Sequence, residues 1–143
     1  MLTVKMLLTN KPQPVVWSIQ PDQSVFEALE KMAEKNVGAL PVVAADQLVG
    51  MFSERDYARK IILLGRESKN TRVDEIMTTT LHTIGPNDNI HDCMEMMSEK
   101  RIRHLPVLEG GNLVGMISIG DIVNAIIMDQ KEHIQNLEQY IRS

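Results

Sequence analysis

The sequence predicts an α/β (α+β) fold made of two tandem β-α-β-β-α repeats, packed on each other with pseudo-two-fold symmetry. Three observations carry this expectation. Residues 16–58 align with 81–123 without a gap. The alignment keeps Ile19/Ile84, Pro21/Pro86, Met32/Met97, Leu40/Leu105, Pro41/Pro106, Val42/Val107 and Gly50/Gly115 in step. The corner Leu48-Val49-Gly50-Met51-Phe52-Ser53-Glu54-Arg55-Asp56 returns 65 residues later as Leu113-Val114-Gly115-Met116-Ile117-Ser118-Ile119-Gly120-Asp121. Two copies fit a pair better than a solenoid, which needs three or more. Each copy has too little apolar surface to be stable alone, so the copies are expected to pack together.

Thr3–Leu8 reads as a short helix stopped by Asn10-Lys11-Pro12-Gln13-Pro14, because proline cannot continue the hydrogen-bond ladder. Val15–Ile19 is β-rich and ends at Pro21, a first strand. Ser24-x-x-Glu27 has the spacing of a capping box. Behind it Val25, Ala28, Leu29 and Met32 share one helical face. Strands are expected at Ala39–Val43 and Leu48–Phe52, joined by a turn at Ala44–Gln47, and a helix from about Glu54 to Leu64 with Gly65 beyond its end. The polar connector Arg66–Asn70 closes the first unit. Thr71–Met77 then mirrors the N-terminal helix and Leu81–Ile84 the first strand. This gives a first repeat over 1–65 that includes the N-terminal helix, a second over 71–130, and a C-terminal helical extension over 131–143. Along the tail after Asp121, Ile127, Ile134 and Ile141 recur at intervals of seven, with Leu137 between. The stripe suits a helix folded back on its own domain or a contact helix in a homodimer.

Composition narrows the function. A formal charge of −4 and only five aromatic residues (two Phe, two Tyr, one Trp) argue against a nucleic-acid surface. The single cysteine, Cys93, cannot form an intrachain disulfide. No apolar run is long enough to span a bilayer, and Met1–Lys5 does not resemble a secretory signal, so a cytoplasmic protein is expected. His91 and Cys93 point to different faces of a helix start, and no metal site is expected there. Glu109-Gly110-Gly111-Asn112 lies between two strands and reads as a hairpin turn rather than a phosphate loop. No nucleophile, base and orienting group converge in the sequence, so no catalytic residues are assigned and an enzyme is not expected.

Ser53-x-x-Asp56 and Ser118-x-x-Asp121 are, taken alone, helix caps with Asp in the Glu position. Their place at a strand-to-helix corner in both copies suggests more. A helix N-terminus favours an anionic ligand. A carboxylate there can accept two hydrogen bonds from a vicinal diol such as ribose, and a serine hydroxyl can cap the helix and still donate. Phosphates would require cations. Arg103-His104 precede Leu105-Pro106-Val107 where the first copy has Gly38-Ala39, and Arg55, Arg59 and Lys60 follow the first corner.

The duplicated unit, the Leu-Pro-Val segments and the Gly-x-x-Ser-x-x-Asp corners resemble tandem CBS-domain (cystathionine β-synthase domain) proteins over nearly the whole chain. The resemblance implies repeats packed through their sheets and two clefts for adenosine-containing ligands such as AMP, ADP, ATP, NAD or S-adenosylmethionine. It implies that Asp56 and Asp121 hold ribose beside Ser53 and Ser118. It also implies that Ala39-Leu40-Pro41 and His104-Leu105-Pro106 line the base, with Ser18 and Thr83 flanking adenine. Arg55, Arg103 and His104 are expected at the phosphates on chemical grounds. The implied function is a stand-alone regulatory module, an energy or metabolite sensor acting through a homodimer or a regulated protein. The alternative is an interaction protein that dimerises without ligand.

Overall fold

The computed structural model describes residues 1–11 and 16–142. The helix-stopping Pro12-Gln13-Pro14 and Val15, the first residue of the expected first strand, lie outside the described residues. The described chain divides into two compact units, each with its own core. Its elements are α1 (Val4–Thr9), α2 (Val25–Lys35), β1 (Ala39–Ala44), β2 (Gln47–Ser53), α3 (Glu54–Tyr57), α4 (Val73–Ile76), α5 (Ile90–Lys100), β3 (His104–Glu109), β4 (Asn112–Ser118) and α6 (Ile119–Arg142). A π-helical turn, Ala58–Ile62, continues α3, and a 3₁₀ turn spans Ser68–Asn70.

The unit of the first repeat is built as its periodicity requires. Ser24 caps α2, its Oγ accepting from the Glu27 N–H at 3.0 Å, and Val25, Ala28 and Met32 are buried. β1 and β2 form an antiparallel pair in which Ala39 faces Ser53 and Pro41 faces Met51. Partners shift between Val42/Gly50 and Val43/Leu48, leaving Val49 as the extra residue of a bulge. The turn uses Ala45 and Asp46 at φ 49° and 63°, the left-handed pair that a two-residue hairpin demands. β3 and β4 form the second two-stranded sheet, and Gly110-Gly111 occupy its turn at φ 59° and 83°. The fold is thus mixed α/β with two small antiparallel sheets.

The first strand of each repeat is shorter than the sequence suggests. Ile19 alone bridges Val42, and Ile84 alone bridges Val107, both in parallel. The Ile19 N–H donates to Pro41 O at 3.0 Å and the Val43 N–H to Ile19 O at 2.9 Å. The next rung on one side needs an N–H from Pro41 and on the other from Pro21, and neither has one. Pro106 and Pro86 cut the second copy in the same way. Matched prolines therefore reduce each strand to a single rung.

The short helices are exchanged relative to sequence order. α1, placed by sequence order with the first repeat, puts Val4 and Leu7 into the core of Ile84, Ile90, Met97, Leu105, Val107, Ile117 and Ile122. α4, which opens the second repeat in sequence, puts Val73 and Ile76 into the core of Ile19, Val25, Leu40, Val42, Phe52 and Ile61. Both dock alike. The N–H groups of Val4 and Lys5 donate to Asp88 O and Pro86 O at 3.0 and 2.8 Å. Those of Val73 and Asp74 donate to Gln23 O and Pro21 O at 2.8 and 2.9 Å. Thr71, which has cap spacing to Asp74, is not the cap of α4. Its hydroxyl donates to Glu67 O, while Glu75 accepts from the Arg72 N–H at 2.7 Å.

Cys93 is 1% exposed in the core of its unit. Burial first, then Asp88 and Asp92, push its thiol up to about 11 from 9.0. Because thiolate is the reactive form, native protein at pH 8 is expected to react with iodoacetamide far more slowly than urea-unfolded protein. Equal rates would contradict this burial. Above pH 9 the unfolded thiol ionises while the folded one stays protonated, so this group costs stability as pH rises from 9 towards 11.

Candidate functional site: two unequal strand-to-helix corners

Each corner arises where a strand with a buried apolar residue, Phe52 or Ile117, runs into a serine that starts a helix. Gly50 and Gly115 lie where other groups approach the strand closely, backbone included at Gly50 and the Leu8 side chain alone at Gly115. A Cβ on Gly50 would lie 2.6 Å from Met77 Sδ and 3.1 Å from the backbone O of Thr78, and one on Gly115 would lie 2.8 Å from Leu8 Cδ2.

At the first corner, Ser53 Oγ accepts from the Asp56 N–H at 3.2 Å, and Asp56 Oδ2 accepts from the Ser53 N–H at 3.0 Å. Ser53 Oγ also donates to Asp56 Oδ2 at 3.1 Å. Oδ1 accepts from the Thr78 hydroxyl at 3.0 Å and pairs with Lys60 Nζ at 3.0 Å. Lys60 donates in addition to Ile76 O at 2.9 Å. Thr78 is held against β2 by backbone hydrogen bonds in both directions with Met51, at 2.8 and 2.9 Å. Asp56 is 6% exposed. A carboxylate has about four lone-pair sites, and here the chain itself supplies a donor for each.

At the second corner, Ser118 Oγ accepts from the Asp121 N–H at 3.1 Å and Asp121 Oδ2 from the Ser118 N–H at 2.9 Å, completing the same cap. Lys11 Nζ lies 3.0 Å from the same Oδ2 and donates to Met116 O at 3.0 Å. Among the described residues no hydrogen bond reaches Oδ1, and the Asp121 side chain is 26% exposed. Ala125 stands where Lys60 stands in the first copy. The two corners share a cap and differ in how far their carboxylates are committed.

The other sequence-derived candidates lie on or beside β1, β3 and α3 and next to the Ile19 and Ile84 bridges. The buried Ala39 is the cross-strand partner of Ser53, and Gly38 O accepts from the Glu54 N–H at 3.1 Å. Arg103 O accepts from the Ile119 N–H at 2.9 Å in the equivalent place, while the residue as a whole is exposed. His104 is half-buried at the start of β3, and Pro41 and Pro106 are buried. Arg55 is exposed in the first turn of α3. Ser18 and Thr83 precede the bridged Ile19 and Ile84, and the carbonyl of Ser18 accepts from Lys31 Nζ. Lys60, weighed in the sequence as a phosphate ligand, is instead the ion-pair partner of Asp56. The i,i+4 spacing of the two was the available signal. Lys11 and Thr78 carry no local signal.

These corners, duplicated in step behind two hairpins, agree with the family comparison. The pattern of the CBS domain matches residues 7–63 and again 73–128. The chain belongs to the CBS-domain family. The CBS domain-containing protein CBSX3 of Arabidopsis thaliana, named as mitochondrial, is 43% identical over 126 residues, covering 85% of this chain and 61% of that protein. The CBS domain-containing protein YhcV of Bacillus subtilis is 37% identical over 122 residues, covering 85% of this chain and 84% of that one. A solved structure with CBS domains from Burkholderia ambifaria superposes with a TM-score of 0.87 at 46% identity, covering 90% of this chain and 96% of that one. CBS domains generally bind adenosine ligands. Among the described residues of this CBS pair, no helix is long and apolar enough to cross a membrane. No group of three or more His, Cys, Asp or Glu among them could hold a metal ion.

Proposed function

We propose that this CBS pair is a regulatory module that binds an adenosine-containing ligand, from the set AMP, ADP, ATP, NAD and S-adenosylmethionine, and passes its occupancy to a homodimer or a regulated protein. The observation that carries the reading is the Asp121 corner. Its carboxylate is fixed by the Ser118 cap, yet keeps one oxygen without a hydrogen bond from the described residues at a half-open position. That oxygen can accept a hydrogen bond from a ribose hydroxyl, while the N-terminus of the long α6 favours the attached phosphates. Arg103 and His104 are the proposed phosphate cations, and Arg55 plays that part at the first corner. Asp56 binds ribose only after Thr78 and Lys60 release it, so the first site is proposed as the weaker. No catalytic role is proposed. The setting proposed is cytoplasmic, although the plant relative is named as mitochondrial.

Ligand at 100 times its dissociation constant should stabilise the fold by about 2.7 kcal/mol, a rise of several degrees in melting temperature. At least one of the five ligands is expected to give that rise, and Asp121→Ala to remove most of it. If none shifts melting, or if Asp121→Ala leaves the shift intact, the reading fails. A second reading, an interaction protein indifferent to nucleotide, is favoured by the exposed apolar stripe of α6. Sedimentation with and without nucleotide separates them, since only the sensor responds.

A further inference from the structure

We infer that Lys11 is a specificity-determining residue of the second corner, whose ammonium makes that corner select phosphorylated adenosine ligands and disfavour S-adenosylmethionine. The inference rests on the reading of the Asp121 corner as an adenosine site and adds the class of ligand. Lys11 follows α1, where its N–H donates to Leu8 O at 3.3 Å and the Leu8 side chain lies against Gly115. From there its Nζ reaches Asp121 Oδ2 and Met116 O, each at 3.0 Å. Oδ2 is the oxygen already held by the Ser118 N–H, so the ammonium pairs with the carboxylate without taking Oδ1. These partners use two of its three N–H donors, and its side chain is 27% exposed.

This placement does not follow from the shared corner motif. At the first corner Lys60, from the helix that the corner starts, pairs with Asp56 Oδ1 and closes that oxygen together with Thr78. α1 and α4 dock alike, so Val4 corresponds to Val73 and Thr9 to Thr78. The Thr9 hydroxyl turns back to Lys5 O at 2.9 Å, and Lys11, two residues on, supplies the tie instead. The corners thus recruit an ammonium from unrelated positions, and among the described residues only the second leaves its carboxylate an oxygen for a ligand. Charge then sets the class. Asp121 alone would repel a nearby phosphate. Lys11 cancels that charge, and Arg103, whose carbonyl accepts from the first residue of α6, leaves the corner a positive excess. Such a corner favours AMP, ADP, ATP or NAD by their phosphate charge and opposes the sulfonium of S-adenosylmethionine.

Calorimetric titration of the full chain without magnesium tests this on the binding event that Asp121→Ala removes. Lys11→Met is expected to weaken that event by roughly twofold per unit of ligand charge: least for adenosine, about fourfold for AMP and about sixteenfold for ATP. The same variant should strengthen S-adenosylmethionine. Lys11→Arg, which keeps the charge, should retain the wild-type order, and the ATP loss of Lys11→Met should shrink as salt is added. An equal loss for adenosine, AMP and ATP, or an Arg variant as impaired as the Met variant, would overturn the proposal while the adenosine site stands. If Asp121→Ala removes no binding event, the site reading itself fails and this inference falls with it.

Discussion

Replacing Asp56 by alanine is expected to lower the unfolding free energy by about 3 kcal/mol, while Asp121→Ala costs about 1 kcal/mol. The two residues are sequence counterparts, so the difference lies in their surroundings. Asp56 is buried and receives the Ser53 N–H, the Ser53 and Thr78 hydroxyls and the Lys60 ammonium. Its removal strands donors at a site with little water to replace it. The Lys60 side chain is 39% exposed and can turn outward, which holds the loss below that of a fully buried pair. At Asp121 the ion pair is about a quarter exposed on both sides, so little is lost beyond the cap itself. Urea denaturation of the two variants makes the comparison. Equal losses would show that the two carboxylates are not differently committed.

Phe52→Ala is expected to destabilise the chain by about 3–5 kcal/mol, the range for a large aromatic removed from a packed core. Phe52 is 0% exposed and sits on β2 among Ile19, Leu40, Val42 and Ile61. It is also one residue before Ser53, so the cavity would open beside the first corner. Phe52→Leu should recover most of the loss, because it refills much of the volume. A loss below about 1 kcal/mol for the alanine variant in the same urea assay would mean that this core collapses around the gap.

The sequence made the repeat unit and the caps of the corners legible because both depend on local spacing. Helix faces follow from period 3.6, hairpins from alternation and turn residues, and the Ser-x-x-Asp caps from a four-residue motif. What it did not reveal depends on partners distant along the chain. Lys11 reaches Asp121 across 110 residues, and Thr78 reaches Asp56 across 22. The placement of α1 was hidden for the same reason: helical periodicity states that Val4 and Leu7 need a core, but not which core. The shortened first strands, by contrast, were written in the sequence. Pro21, Pro41, Pro86 and Pro106 lack the N–H groups that a longer parallel ladder requires, and β-propensity alone concealed this.

The crossed placement of α1 and α4 sets an order of events during synthesis. The core of the first repeat runs from Ile19 to Ile76 and can close as soon as that stretch has left the ribosome. Val4 and Leu7 emerge before any of it, yet their partners extend to Ile122. At about 5–20 residues per second the wait lasts roughly 6–25 s. Throughout that interval the six residues of α1 are too few to hold a helix alone. Of the described elements, α1 is therefore made first and buried last, and through that interval it is open to a chaperone or a protease.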